Sequence, residues 1–507
     1  MNRIQKKTEY VRKMTVACNK CGKQIDWEKI LIEQAQNFCL KCVIYRNFKQ
    51  RLARFFPTTL FTLLILTFPA QGKNLIQPEQ VLSLEQAVVI ALKNSPSLTQ
   101  QVNAVESAEI TVSQQQTDLY PNLVLGASGS ERFDKALDES TSQTENRSFT
   151  SMSVELSSSV NLFNGFADIA ALKSAELELG AVRETLSREE QTLAFETISN
   201  FIQVLTDQAL IQVEEENLEE NHKLLERIEA LYQAGSLALS DLYQQQAETK
   251  QAELDLLEAK RTLNISKLAL MQTMGLPPTT HYQVATPDFE KLSLSFADKD
   301  LDQMTLIALE NRSDVKAQQR QVDAAEQQIR QTQAGRLPKV DLFASLASSY
   351  SSLYEESRFS EQFMDDNPSA TVGISFTVPL FDRHLTRNEI AKAKIEKSNE
   401  QLTLKQKKLQ IGLEIAQAVQ EYRTTRKQVD VVESKLTSAR QSLQSYEERY
   451  RVGASTLVEL TQSRTQYVTA ASDQVQARYN LVAQEIAIAY YIGNMEPLLA
   501  SLELEKN

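Results

Sequence analysis

The chain has 507 residues, with 66 acidic against 54 basic side chains and a net charge of −12, so it lacks the basic face that nucleic-acid binding requires. The acidity by itself implies no more than solubility. Glycine and proline are scarce, 13 and 12 residues, while Gln, Glu, Ala, Leu and Lys fill the long middle segments, a bias towards long helices rather than an α/β enzyme.

Residues 1–45 hold all four cysteines. Cys18-x2-Cys21 and Cys39-x2-Cys42 frame 17 residues, a spacing that suits a tetrahedral zinc ribbon. The other reading is an over-extended start of the coding region. Residues 46–72 have the layout of a secretory signal. Arg46, Lys49, Arg51 and Arg54 precede an apolar run from Leu60 to Phe68, and Ala70-Gln71-Gly72 supplies a small-x-small cleavage site. That run is well short of the roughly 20 residues of a spanning helix. The exported chain is expected to begin near Lys73, without cysteine, disulfide or transmembrane helix.

From residue 82 onward the sequence repeats itself. LYQAGSLALSDL (231–242) has the layout of RYRVGASTLVEL (449–460), with Gly235 and Gly453 at an offset of 218 residues (453 − 235). ALKNSPSL (91–98) matches ALENRSDV (308–315), YPNLVL matches LPKVDL, LFNG matches LFDR, and MG at 274–275 matches IG at 492–493. The expected organisation is an extension (1–45), a signal (46–72), two repeats (73–298 and 299–493) and a tail (494–507). A tandem duplication of this kind is more informative than any single motif.

Each repeat is expected to open with one helix of about 35 residues, 83–118 and 301–335, closed by Pro121 or Pro338. Two alternating segments follow. In 370–380, Ala370, Val372, Ile374, Phe376, Val378 and Leu380 alternate with smaller or polar residues, and 150–162 behaves alike, which is the period of a two-faced strand. Segments 122–133 and 339–350 alternate more weakly. The connections 134–147 and 353–369 are polar and read as exposed hairpin loops.

About 70 residues of helical pattern come next in each copy. Ile415, Tyr422, Val429, Leu436, Leu443 and Tyr450 recur every seventh residue, as do Val204, Ile211, Leu218, Leu225 and Tyr232. A second seam begins after each glycine, at Leu242 and at Leu460. Heptads of this length imply paired coiled-coil helices. Gly235 and Gly453 then close one helix in the left-handed conformation, and its partner returns antiparallel.

Four amphipathic strands in an exported chain point to an outer-membrane barrel, because only helices and closed barrels satisfy their backbone inside lipid. Four strands cannot close, so the chain is expected to oligomerise. Phe133, Phe149, Tyr350 and Tyr354 at the hairpin side, and Tyr120, Phe163, Phe166 and Phe381 at the helix side, are expected to form two aromatic girdles. An enzyme is disfavoured: His222, His281 and His384 lie far apart, and no phosphate loop or nucleophile motif appears. A soluble sheet on helices, or a periplasmic coiled-coil adaptor, is the competing reading.

These features resemble the TolC family of outer-membrane efflux proteins, over residues 82–493. The resemblance rests on the duplicated plan, the opening SLEQAVVIALKNSP, the VPLF segment (378–381) and the two glycine turns. It implies a mainly α fold with a transmembrane β-barrel: a homotrimer sharing a 12-stranded barrel in outer-membrane lipid above a periplasmic coiled-coil barrel. It implies a passive exit duct for efflux or type I secretion. A periplasmic adaptor and an inner-membrane transporter of RND, ABC or MFS type would dock with it, and the channel itself would need no cofactor. Substrate and pump class are not legible.

By the same resemblance, the turns at Gly235 and Gly453, with Leu237 and Leu457, form the periplasmic tip where the adaptor docks. Tyr450 and Asp241 match the hydrogen-bonded pair that closes the duct, and Glu459 and Gln462 occupy the two positions of pore-narrowing acidic rings. Only Glu459 keeps the charge. The arginine that the family places two residues after the second glycine is replaced by Ser455.

Overall fold

The computed structural model describes residues 15–17, 24–26, 81–138, 143–280, 282–287, 300–354 and 358–495. The four cysteines, the signal segment 46–72, His281 and the tail beyond 495 lie outside them. The chain divides into two units, Met1–Asn74 and Leu75–Asn507. In the first, β1 (Thr15–Ala17) pairs antiparallel with β2 (Gln24–Asp26).

In the second unit each repeat lays out the same elements. The first copy runs β3 (Val81–Leu82), α1 (Leu84–Asn94), α2 (Pro96–Thr117), β4 (Val124–Asp138), β5 (Gln143–Phe163), α3 (Ala167–Gln233) and α4 (Leu239–Thr273). After β6 (Gln283–Val284), the second copy runs α5 (Leu301–Asn311), α6 (Ser313–Gln333), β7 (Lys339–Ser351), β8 (Ser369–Thr377), α7 (Leu385–Arg451) and α8 (Leu457–Tyr491). β3 and β6 pair in parallel, tying the start of the first repeat to the segment that follows it.

Four expectations are corrected. The opening stretch of each repeat is two helices, not one. Pro96 forces Ser95 out of the helical region (ψ 123°), and Ser95 then accepts the Leu98 N–H as N-cap. Arg312 breaks the second copy at ψ 121° without a proline. Its guanidinium is instead drawn to Asp314 (2.9 Å) and Glu414 (2.7 Å). Next, the polar connection 134–147 is mostly strand, because β4 and β5 continue pairing out to Asp138↔Gln143. Backbone ladders do not need an apolar face. Further on, 353–369 holds a helical turn (Phe359–Glu361) and a π-helical turn (Gln362–Asp366) where a plain loop was expected. Lastly, the final strand ends at Thr377, ahead of Pro379, which cannot donate to a ladder.

The four long strands form one antiparallel sheet in the order β4-β5-β7-β8. Register sorts its side chains cleanly. Leu125 pairs with Leu156, Leu156 with Leu346, and Leu342 with Ile374, placing these with Met152, Val154, Val372 and Phe376 on one face. The opposite face is hydroxyl-rich. Ser128 and Ser153 hydroxyls lie 2.7 Å apart, Ser130 and Ser151 hydroxyls 2.8 Å apart, and Asn161 donates to Asp341 at 3.0 Å. Phe149 pairs with Arg132 on this polar face, so it departs from the expected outer girdle. Phe133, Tyr120, Phe166 and Phe381 are exposed as expected. The apolar face is bare: Leu125 is 71% exposed, Val372 77% and Ile374 67%. Such a sheet is not one that packs on the chain's own helices.

α3 and α7 have 67 residues each, about 100 Å of helix at 1.5 Å per residue. α4 returns along α3 and α8 along α7, giving two helical hairpins, and α8 also packs on α3. The main core lies where all helices meet, around Leu84, Ile198, Phe201, Leu205, Met274, Ile411, Ile415 and Ile486. There the Arg312 cluster lies near a half-buried arginine, Arg188, which donates to the Tyr490 carbonyl at 3.2 Å and lies 4.0 Å over its ring. No described helix is long and apolar enough to cross a membrane.

Candidate functional site

The far end of the two hairpins is built by two matching helix stops. Gly235 (φ 73°) and Gly453 (φ 74°) take the left-handed conformation. Gly235 N–H bonds the Tyr232 carbonyl and Ser236 N–H the Leu231 carbonyl, both at 2.9 Å. Gly453 bonds Tyr450 at 3.1 Å and Ala454 bonds Arg449 at 2.7 Å in the same pattern. This pair of bonds satisfies carbonyls that a helix end otherwise leaves orphaned.

The return helices start differently. Thr456 caps α8 in a reciprocal box: it accepts the Glu459 N–H, and the Glu459 carboxylate accepts the Thr456 N–H at 2.8 Å. These bonds, opposed only by weak desolvation, hold the Glu459 carboxyl below its ordinary range. Glu459 is thus an exposed capping carboxylate at the tip. Gln462, one turn on, is exposed. Ala238 begins α4 without a side-chain cap, and Asp241 supplies the acidic residue of its first turn.

An apolar cluster joins the hairpins at this end. Leu224 and Ile228 of α3, Leu242 of α4 and Leu457 and Leu460 of α8 are buried together, with Leu237, Leu443, Tyr446 and Tyr450 packed around them. Leu457 is 5% exposed in the single chain, so it serves this cluster, whereas Leu237 is half-buried. Sequence reading missed the exposed apolar residues of the turns, Leu239, Val452 and Val458.

Tyr450 and Asp241 are brought together from different hairpins. Burial raises the Tyr450 phenol above its ordinary value, the Asp241 charge raises it further, and Arg227 opposes both. The hydroxyl is fully buried and has no hydrogen-bond partner among the described residues, so the single chain juxtaposes the pair without bonding it. Ser455 donates to the Tyr446 carbonyl at 3.4 Å, within its own hairpin. Arg464, also missed from sequence, is 9% exposed and donates to Glu447 at 3.2 Å. Its only sequence signal is a charge in the position matching Gln246, next to the buried Ser463.

A profile described as outer membrane efflux protein matches residues 87–276 and again 307–494. Outer membrane protein TolC of Escherichia coli K12 is 23% identical over 442 residues, covering 85% of each chain. Protein CyaE of Bordetella pertussis is 23% identical over 415 residues, covering 82% of this chain and 84% of its own. Among solved structures, the outer membrane protein VceC of Vibrio cholerae has a TM-score of 0.67 at 18% identity, covering 81% of this chain and 96% of that one. CusC, a transmembrane channel, has a TM-score of 0.71 at 18% identity, covering 81% and 92%.

Proposed function

Because the chain belongs to the outer membrane efflux protein family, we propose that it is a passive exit duct, conducting substrates delivered from the inner membrane to the exterior. One observation carries the reading. The four-stranded sheet bares an apolar face on one side and a hydroxyl-lined face on the other, and among the described residues the outer edges of β4 and β8 are unpaired. Open edges do not persist in lipid. Three copies joining β8 to the next β4 give a closed barrel of 12 strands, apolar outside and polar inside.

Below the barrel the long helices of three copies form a coiled-coil tube across the periplasm. Its tip, at Gly235 and Gly453, is the gate, with Tyr450 and Asp241 as the closing pair and Glu459 and Gln462 facing the constriction. A threefold ring of Glu459 favours cations there, by the logic of charged pore rings. A periplasmic adaptor docks at the tip through Leu237 and the exposed Leu239, Val452 and Val458, while Leu457 braces the cluster behind them. An energised inner-membrane transporter of RND, ABC or MFS type supplies the cargo. A periplasmic adaptor role for this chain would leave the apolar sheet face in water. Membrane fractionation tests the choice: a heat-sensitive trimer in the outer membrane is expected, and a monomer confined to the soluble periplasm rejects it.

The N-terminal extension is a separate proposal. β1 and β2 pair on either side of the interval that carries Cys18 and Cys21, which supports a zinc ribbon completed by Cys39 and Cys42. Metal analysis of the unprocessed chain reads it: one zinc per chain, lost in Cys18→Ser, is expected, and a metal-free chain rejects it.

A further inference from the structure

Two cavities, of about 370 and 470 Å³, lie along the seam between the α3/α4 and α7/α8 hairpins. Asn217 of α3 and Arg464 and Val468 of α8 line both. Arg464 therefore sits where the hairpins meet, two turns into α8 from its cap.

A guanidinium carries five N–H donors and stays charged, so burying one is costly unless its donors are met. Arg464 Nη2 reaches Glu447 Oε1 across its own hairpin at 3.2 Å. Nη1 has no partner among the described residues and is fully buried. The cavity walls offer acceptors from both hairpins; on the opposing α3 side they include the Asn217 amide and the carboxylate of Glu214, whose pKa burial pushes up. Asn221, also in that wall, is already engaged by Gln245 at 3.0 Å. Ser455 makes its bond within its own hairpin and offers the seam nothing. Arg464 thus lies in the seam with one donor group committed to α7 and another buried without a partner among the described residues, whereas Arg440 in the same wall stacks on Tyr467.

We propose that Arg464 is the positioning residue that holds the two hairpins together in the closed tip, a role that Ser455 cannot fill. Glu447 fixes the guanidinium on its own hairpin, and in the closed tip Nη1 is bridged to the α3 wall beside Asn217 through water in the polar cavities. Charge-assisted bonds of this kind are stronger than neutral ones. Parting the hairpins breaks the α3 side and keeps the Glu447 side, so the arginine opposes opening. This inference rests on the gated-duct reading above.

Single-channel recording on the full-length trimer in planar bilayers tests it, with trimer heat-stability read alongside. Arg464→Gln and Glu447→Gln are each expected to raise conductance or open probability at least twofold while the trimer persists. The exchange Arg464→Glu with Glu447→Arg is expected to stay open, because the cation then sits on α7, away from α3. A conductance at or below wild type in Arg464→Gln overturns the proposal. If that variant does not assemble, Glu447→Gln decides alone: a rise supports it and no change overturns it. Tyr450→Phe with Asp241→Ala separates the two levels. Opening there without opening in Arg464→Gln rejects only the arginine's role, and no channel activity in any variant rejects the duct and this proposal together.

Discussion

The Glu459 carboxylate accepts both the backbone N–H of Thr456, at 2.8 Å, and its hydroxyl, at 3.0 Å, so the acidic residue of the tip is tied to the first turn of α8. Thr456→Ala removes this cap and is expected to cost about 1 kcal/mol of local helix stability. Faster amide exchange confined to residues 456–460 checks it. The pH sense also follows. The Glu459 carboxyl is lower in the folded state than in the unfolded one, chiefly through the Thr456 bonds. Its contribution is present above the unfolded value and is lost as pH falls through the folded one. Exchange at the start of α8 is therefore expected to quicken on acidification, and less so in Glu459→Gln.

The glycines of the two repeats are not equivalent under substitution. A Cβ on Gly235 or Gly453 meets nothing within 4 Å, whereas one on Gly275 lies 2.8 Å from the Asn94 carbonyl oxygen. Gly235→Ala carries only the left-handed backbone cost, about 1–2 kcal/mol. Gly275→Ala adds overpacking of about 1–3 kcal/mol against the α1–α2 joint. Thermal unfolding of the assembled protein is expected to rank Gly275→Ala as the more damaging.

Arg312 is 5% exposed between Asp314 and Glu414. Arg312→Met leaves two carboxylates facing each other at the break between α5 and α6, an expected loss of about 3–5 kcal/mol. Burial pushes the Asp314 carboxyl up, but the Arg312 bonds and charge outweigh it and hold it below its usual range. With the folded value depressed, the pair stabilises above the unfolded pKa and fades as pH falls through the folded one. Denaturation midpoints are expected to drop on acidification in wild type and to be flatter in Arg312→Met.

Much of this was legible in the chain. The restart of the heptad after Gly235 and Gly453 reads directly as a helix stop and an antiparallel return, because both signals are local. The capping box at Thr456-x2-Glu459 went unread, because a carboxylate there reads first as a pore charge. The break at Arg312 was not legible: no proline marks it, and beyond the local Asp314 it is held by Glu414 of α7 and the Tyr491 carbonyl, 3.4 Å away. The length of β4 and β5 was hidden because polar residues pair through their backbones alone. Arg464 was hidden for a related reason, since its burial depends on how the two hairpins lie together.

The sheet's two faces make opposite predictions. Ile374→Arg places a charge on the apolar face and is expected to cost about 2–4 kcal/mol of folding in lipid at mid-bilayer. Thr371→Arg, on the polar face, is expected to cost much less and to alter ion selectivity instead. Folding titrations in lipid vesicles compare them.

The most direct measurement is the current through the purified full-length protein in a planar lipid bilayer. Discrete unitary steps from a trimer are expected, small in wild type and larger when Tyr450→Phe and Asp241→Ala are combined. A monomeric protein that leaves the bilayer silent, with and without those substitutions, would contradict the exit-duct reading.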